Sequence, residues 1–166
     1  MQSMKKQTGL TLIELMVSTI ILAIMVSAAA PSMKSFFDRG NISVVGPIFE
    51  KTIKLARSEA IQRSQTVRIS PISVSSNWAN GWRIDLVTGP NPADVSLIRT
   101  FEALPGDTVF TSDDFDGNTA LDILPSGQAV NLGDFELSQS GCVGGEKYIY
   151  SLLLSGILDR SVIPCE

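Results

Sequence analysis

"KKQTGLTLIELMVSTIILAIMVSAAAP", Lys5 to Pro31, decides how the rest of the chain is read. Two lysines precede an oily run of 21 residues, Leu10 to Ala30, in which Glu14 is the one charge. As a helix this run would be about 31 Å long at about 1.5 Å per residue, matching the hydrocarbon core of a bilayer. A carboxylate near the centre of such a helix is unfavourable by about 3 kcal/mol, so Glu14 needs a reason. A cleaved secretory signal is one reading of basic residues ahead of oily ones, and "SAAAPS" (27–32) offers small residues for the cut. Pro31 would then flank the severed bond and Glu14 would lie inside the oily region, and both features oppose it. A local reading is also open. Thr11 and Glu14 have capping-box spacing, so Glu14 would complete a helix start and favour its positive end. That reading leaves the lysines, Gly9 and Pro31 without a role.

"KKQTG" (5–9) followed by "LTLIELMVSTIILAIMV" (10–26) resembles the class III leader of type IV pilins and pseudopilins. The resemblance implies that a prepilin peptidase cuts after Gly9 and that Leu10, the new first residue, is N-methylated. The family's usual residue there is phenylalanine, so Leu10 is a departure. Glu14 and Pro31 stand where pilins carry those residues. The resemblance implies that Glu14 meets the amine of the first residue of a neighbouring subunit during assembly. A cation partner offsets the burial of a carboxylate, so the unfavourable charge becomes a device for register. Pro31 removes one helix hydrogen bond, and the resemblance implies a helix that continues with a kink there.

The chain has 166 residues and a formal charge of −4, enough length for one domain with a modest core. Removal of residues 1–9 takes two lysines and no acid, leaving −6. Such a balance is a poor match to nucleic acid, which is held through lysine and arginine on phosphates. Histidine is absent, which removes the commonest metal ligand and general base and excludes Ser-His-Asp and Cys-His catalysis.

Residues 32–65 read as the second half of a long helix. Val45, Ile48, Phe49, Thr52, Ile53, Ala56 and Ala60 recur at three and four spacing and form one apolar stripe. Gly46-Pro47 predicts a break or kink, and the helix is expected to stop near 63–65. Lys51, Lys54 and Arg57 form a basic run beside Glu50 and Glu59, either an anion contact or a solvated helix face. Beyond Gln65 the pattern changes to period two. "TVRISPI" (66–72), "GWRIDLV" (81–87), "VSLIRTF" (95–101), "DTVFT" (107–111), "ALDILP" (120–125), "FELSQS" (135–140) and "YIYSLLLS" (148–155) read as strands between turn residues. The expected class is α+β: a long N-terminal helix packed on antiparallel β-sheets, pilin-like. The expected organisation is a leader at 1–9, a transmembrane half-helix at 10–31, an amphipathic half-helix at 32–65 and a periplasmic β-rich domain at 66–166.

"LARSEAIQRSQTVRI" (55–69), "NWANGWRIDL" (77–86) and "LDILPSGQAVNLGDFELS" (121–138) resemble the GspH/FimT subfamily of minor pilins and pseudopilins. Trp78 and Trp82 are read as core behind the helix rather than as a ligand platform. The resemblance places the mature domain in the periplasm, where disulfides persist. Cys142 and Cys165 are then expected to pair, closing a loop of about 24 residues worth roughly 3 kcal/mol. A C-terminal disulfide loop of this kind points toward a pilus component.

No P-loop, nucleophile elbow or zinc spacing is present in the sequence, and no cofactor is implied. "SDDFDGNTALD" (112–122) alternates Asp114, Asp116 and Asn118 as calcium loops do, but its glycine falls too early and no glutamate follows at the twelfth place, so it reads as a polar turn. The resemblance implies a minor type IV pilin in a tip complex that primes filament assembly. Its expected partners are other minor pilins, the major pilin, the prepilin peptidase and the inner membrane. The alternative is a minor pseudopilin of type II secretion. A second alternative is a DNA-binding pilin of a competence pilus. Some FimT-like pilins bind DNA through two close arginines after a glycine, whereas "SGILDRS" (155–161) offers Arg160 with Asp159 beside it, and Lys147 as a further cation.

Overall fold

The computed structural model describes residues 11–73, 76–116, 119–142 and 145–165, with side chains described for all of these except 28–43. One helix, α1, spans Leu12–Arg63. Eight strands follow: β1 Val67–Pro71, β2 Trp82–Val87, β3 Val95–Phe101, β4 Thr108–Thr111, β5 Leu121–Ile123, β6 Gly133–Gln139, β7 Glu146–Leu152 and β8 Leu158–Pro164. A 3-10 turn at Trp78–Asn80 precedes β2, started by Asn77, whose side chain accepts from the Ala79 amide. The class is α+β, as the sequence pattern predicts. The chain divides into two compact units, 1–37 and 38–166.

In the second unit the strands form two antiparallel four-stranded sheets, ordered β3-β2-β1-β5 and β4-β6-β7-β8. The helical stripe supplies the seam between them and α1: Val45, Phe49, Thr52, Ile53, Ala56 and Ala60 are all buried, with Ile48 packed at the margin. Small residues on the last two turns of the stripe let the strands approach closely. Phe49 is the centre of the core. Its ring lies 5.6 Å from Trp82 on β2, 4.8 Å from Phe110 on β4 and 4.6 Å from Phe135 on β6, so one helical side chain touches both sheets. Edge-to-face aromatic pairs of this kind add roughly 0.5–1.5 kcal/mol each beyond their area.

Both indoles are wholly buried and both have acceptors. Trp82 Nε1 donates to Thr52 Oγ1 at 3.1 Å, and Trp78 Nε1 donates to the Phe115 carbonyl at 2.8 Å. Burial without those partners would be unfavourable by a few kcal/mol. Thr52 is thus a polar residue on an apolar stripe because an indole needs its hydroxyl.

Two points where the structure adds to the sequence reading have physical causes. The helix runs without a break through Gly46-Pro47, one of the two outcomes the pair suggests. A Cβ at Gly46 would overlap the Tyr150 phenol oxygen, so the glycine lets β7 cross the helix closely. The helix ends at Arg63 as expected, and Ser64 turns out of it with φ 53°. The second is β8, which the sequence reading left out. Its residues are exposed almost throughout, so no buried alternation marks it. It pairs along its full length with β7, from Glu146 opposite Pro164 to Leu152 opposite Leu158.

The first sheet carries a charged row across its strands. Arg68 on β1 lies opposite Asp122 on β5 and Asp85 on β2. Its guanidinium grips Asp122 with two bonds of 2.8 Å, and these bonds hold it above its ordinary pKa against the pull of burial. Asp85 is buried beside a register shift in β2, pairs with Arg83, and has one carboxylate oxygen with no partner among the described residues.

Candidate functional site

Gly9 and Leu10 lie outside the described residues. Thr11 opens α1, and its hydroxyl accepts the Glu14 amide at 3.3 Å, which is half of the capping box. Glu14 therefore sits in the first turn, where a negative charge meets the helix dipole favourably. Its side chain is exposed and has no ion-pair partner among the described residues. The apolar residues on either side of it are exposed as well, from Leu12 at 78% to Val26 at 60%. Among the described residues no helix is long and apolar enough to cross a membrane. Pro31 falls within α1, and its side chain is outside the description.

Cys142 and Cys165 are joined, with Cα atoms 5.7 Å apart. The bridge ties the loop after β6 to the end of β8, and the Cys165 amide also donates to the Gly145 carbonyl at 2.9 Å. Beside it opens a shallow concavity of about 650 Å³ over the second sheet, with Ser138, Ile163 and the Glu136–Lys147 ion pair on its wall. Lys147 is therefore engaged by Glu136 at 2.9 Å. Arg160 lies over the Tyr148 ring, 5.8 Å from its centroid. The two cations suggested for a nucleic-acid contact thus each have a local partner.

The acidic turn is used internally. Asp114 accepts the Asp134 amide at 2.8 Å, and Asp116 accepts the Thr119 amide at 3.0 Å, so both brace the turn; Asn118 is outside the described residues.

The basic run on α1 has a different setting. Lys54 and Arg57 stand over a groove of about 300 Å³ floored by Ile53, Ile157 and Leu158 and closed by Glu50 and Gly156. The groove lies between α1 and the turn joining β7 to β8. Sequence reasoning found the cations but not the groove, because the turn that completes it leads into β8, the strand with no apolar period to mark it.

Two family models match the chain. "Type II transport protein GspH" covers residues 49–156, and "Prokaryotic N-terminal methylation motif" covers residues 4–30. No curated protein sequence matches significantly. Among solved structures, the fold is similar to the type IV minor pilin FimU of Pseudomonas aeruginosa, with TM-score 0.62, 17% identity, 76% of this chain and 92% of that chain covered. It is also similar to the minor pseudopilin EpsH from the Type 2 Secretion System of Vibrio cholerae, with TM-score 0.57, 13% identity, and 73% and 96% of the two chains covered.

Proposed function

Because the chain belongs to the GspH family of minor pilins and pseudopilins, we propose that it is a minor type IV pilin that joins a tip complex and primes filament assembly. The family consists of structural subunits rather than enzymes. The observation that carries the reading is the pairing of a methylation-motif N-terminus with the two-sheet domain in one chain. In this reading the prepilin peptidase cuts after Gly9, Leu10 is methylated, and the oily segment anchors the subunit in the inner membrane with its sheets in the periplasm. The bare apolar face of Leu12 to Val26 supports this, since water is a poor environment for so long an exposed stripe. Glu14, held at the helix start with no ion-pair partner among the described residues, is placed to meet the amine of a neighbouring subunit. Pro31 bends the helix between its two halves. Other minor pilins and the major pilin are the partners.

The second reading is a minor pseudopilin of type II secretion, favoured by the description of the family that spans most of the globular domain. The disulfide that fastens β8 supports the pilus instead, because such C-terminal loops accompany pilins more than pseudopilins. A deletion strain separates the two. Surface pili and exported type II substrates are measured in the same cultures. Sparse pili with normal secretion support the minor pilin, whereas normal pili with blocked secretion make it a pseudopilin.

A further inference from the structure

The groove between α1 and the β7–β8 turn has three features that a solvated helix face would not need. First, none of Lys51, Lys54 and Arg57 takes part in an ion pair among the described residues, although the chain carries an excess of acid. Glu50 stands one helical turn before Lys54 without pairing to it; it lies close enough to the Tyr150 phenol to act on it electrostatically. Second, the floor is aliphatic and open. Ile157 is 52% exposed, and Leu154 in the same turn is 55% exposed, so the cations border an apolar surface rather than a hydrated one. Third, the Arg57 stem is held. A side chain at Gly127, which has positive φ, would press into it, and Gly156, also at positive φ, packs against the Gly127 carbonyl, so two glycine turns stack beside the arginine. A cation fixed at the edge of an apolar slot suits a carboxylate flanked by aliphatic side chains, since the slot excludes water and strengthens the charge contact.

We infer that this groove is a subunit-docking slot that receives an acidic, aliphatic-flanked segment of another pilin-type chain, with Lys54 and Arg57 reading its carboxylates. The inference rests on the assembly reading above. It locates one lateral contact of the globular domain, apart from any contact made by Glu14.

The test uses the full-length chain in its native membrane, with a photo-crosslinking phenylalanine derivative at Ile157 and, as a control, at Arg99 on β3. Crosslinked peptides are identified by mass spectrometry. The expected product joins Ile157 to a pilin-type chain within a segment bearing Asp or Glu beside aliphatic residues. Lys54→Glu, a change at an exposed position, is expected to lower its yield about tenfold, and Arg57→Gln, which keeps the stem, to lower it in the same direction. A crosslink to a segment without acids, a product insensitive to Lys54→Glu, or equal capture from Arg99 overturns the slot. Leader cleavage and filament content are recorded in the same samples. Normal processing and incorporation with no Ile157 product defeats the slot and leaves the assembly reading intact. A chain that is never cleaved nor incorporated defeats the assembly reading itself, and the slot falls with it.

Discussion

At the scale of single residues, the side chains that matter most are those whose environment overrides their type. Glu14 is a charge in an oily run, placed in the first helical turn by the Thr11 cap. Glu14→Ala is expected to leave the fold and membrane level unchanged while removing the chain from filaments; wild-type incorporation, measured in sheared filament preparations, would refute its role. Gly46 is the converse, a helix breaker by type that serves close packing. Gly46→Ala is expected to cost about 1–3 kcal/mol, because the new methyl meets the Tyr150 oxygen. Tyr150→Phe should recover part of that loss, and a double-mutant cycle in urea measures it. Burial pushes the Tyr150 phenol above its ordinary pKa, outweighing Arg160, which favours the phenolate. Well below pH 10 both folded and unfolded phenols are neutral, so the contribution of this group is fully present and stability does not vary with its titration. As pH rises further, the unfolded phenol loses its proton first, so stability falls until the folded value is passed. Tyr150→Phe should flatten that alkaline limb, read from urea midpoints between about pH 9 and 11.

At the scale of elements, legibility followed burial. The helical stripe from Val45 to Ala60 was readable from spacing alone, because a buried face forces an apolar period; β1, with buried and half-buried residues in strict alternation, was readable from "TVRISPI" for the same reason. β8 was not, since an edge strand with both faces largely in water has no period to show. Gly46-Pro47 does not break the helix for a related reason: the cause of the glycine is Tyr150, remote in sequence and adjacent in space. The disulfide holds this poorly marked strand in place. Cys142→Ser with Cys165→Ser is expected to lower stability by about 3 kcal/mol. The loss should concentrate at β8, where amide exchange would quicken more than in β1 or β2. Uniform acceleration across both sheets would show that the bridge supports the whole domain instead.

At the scale of the whole molecule, the candidate site was legible only in part. The leader and Glu14 carry a sequence signature because their chemistry is local. The groove carries none, because its cations and its floor come from segments that meet only after both sheets have closed on the helix. The sheets close around Phe49, with Trp78 and Trp82 sealed against it and Trp82 bonded to helical Thr52. That arrangement gives the molecule a built-in optical gauge. The two indoles are the chain's only ones, and both report on the seam between helix and strands. Their emission should be blue while that seam is shut and should move to the red when it parts. Fluorescence can therefore follow, without any label, whether the domain stays closed as the surroundings of the chain change.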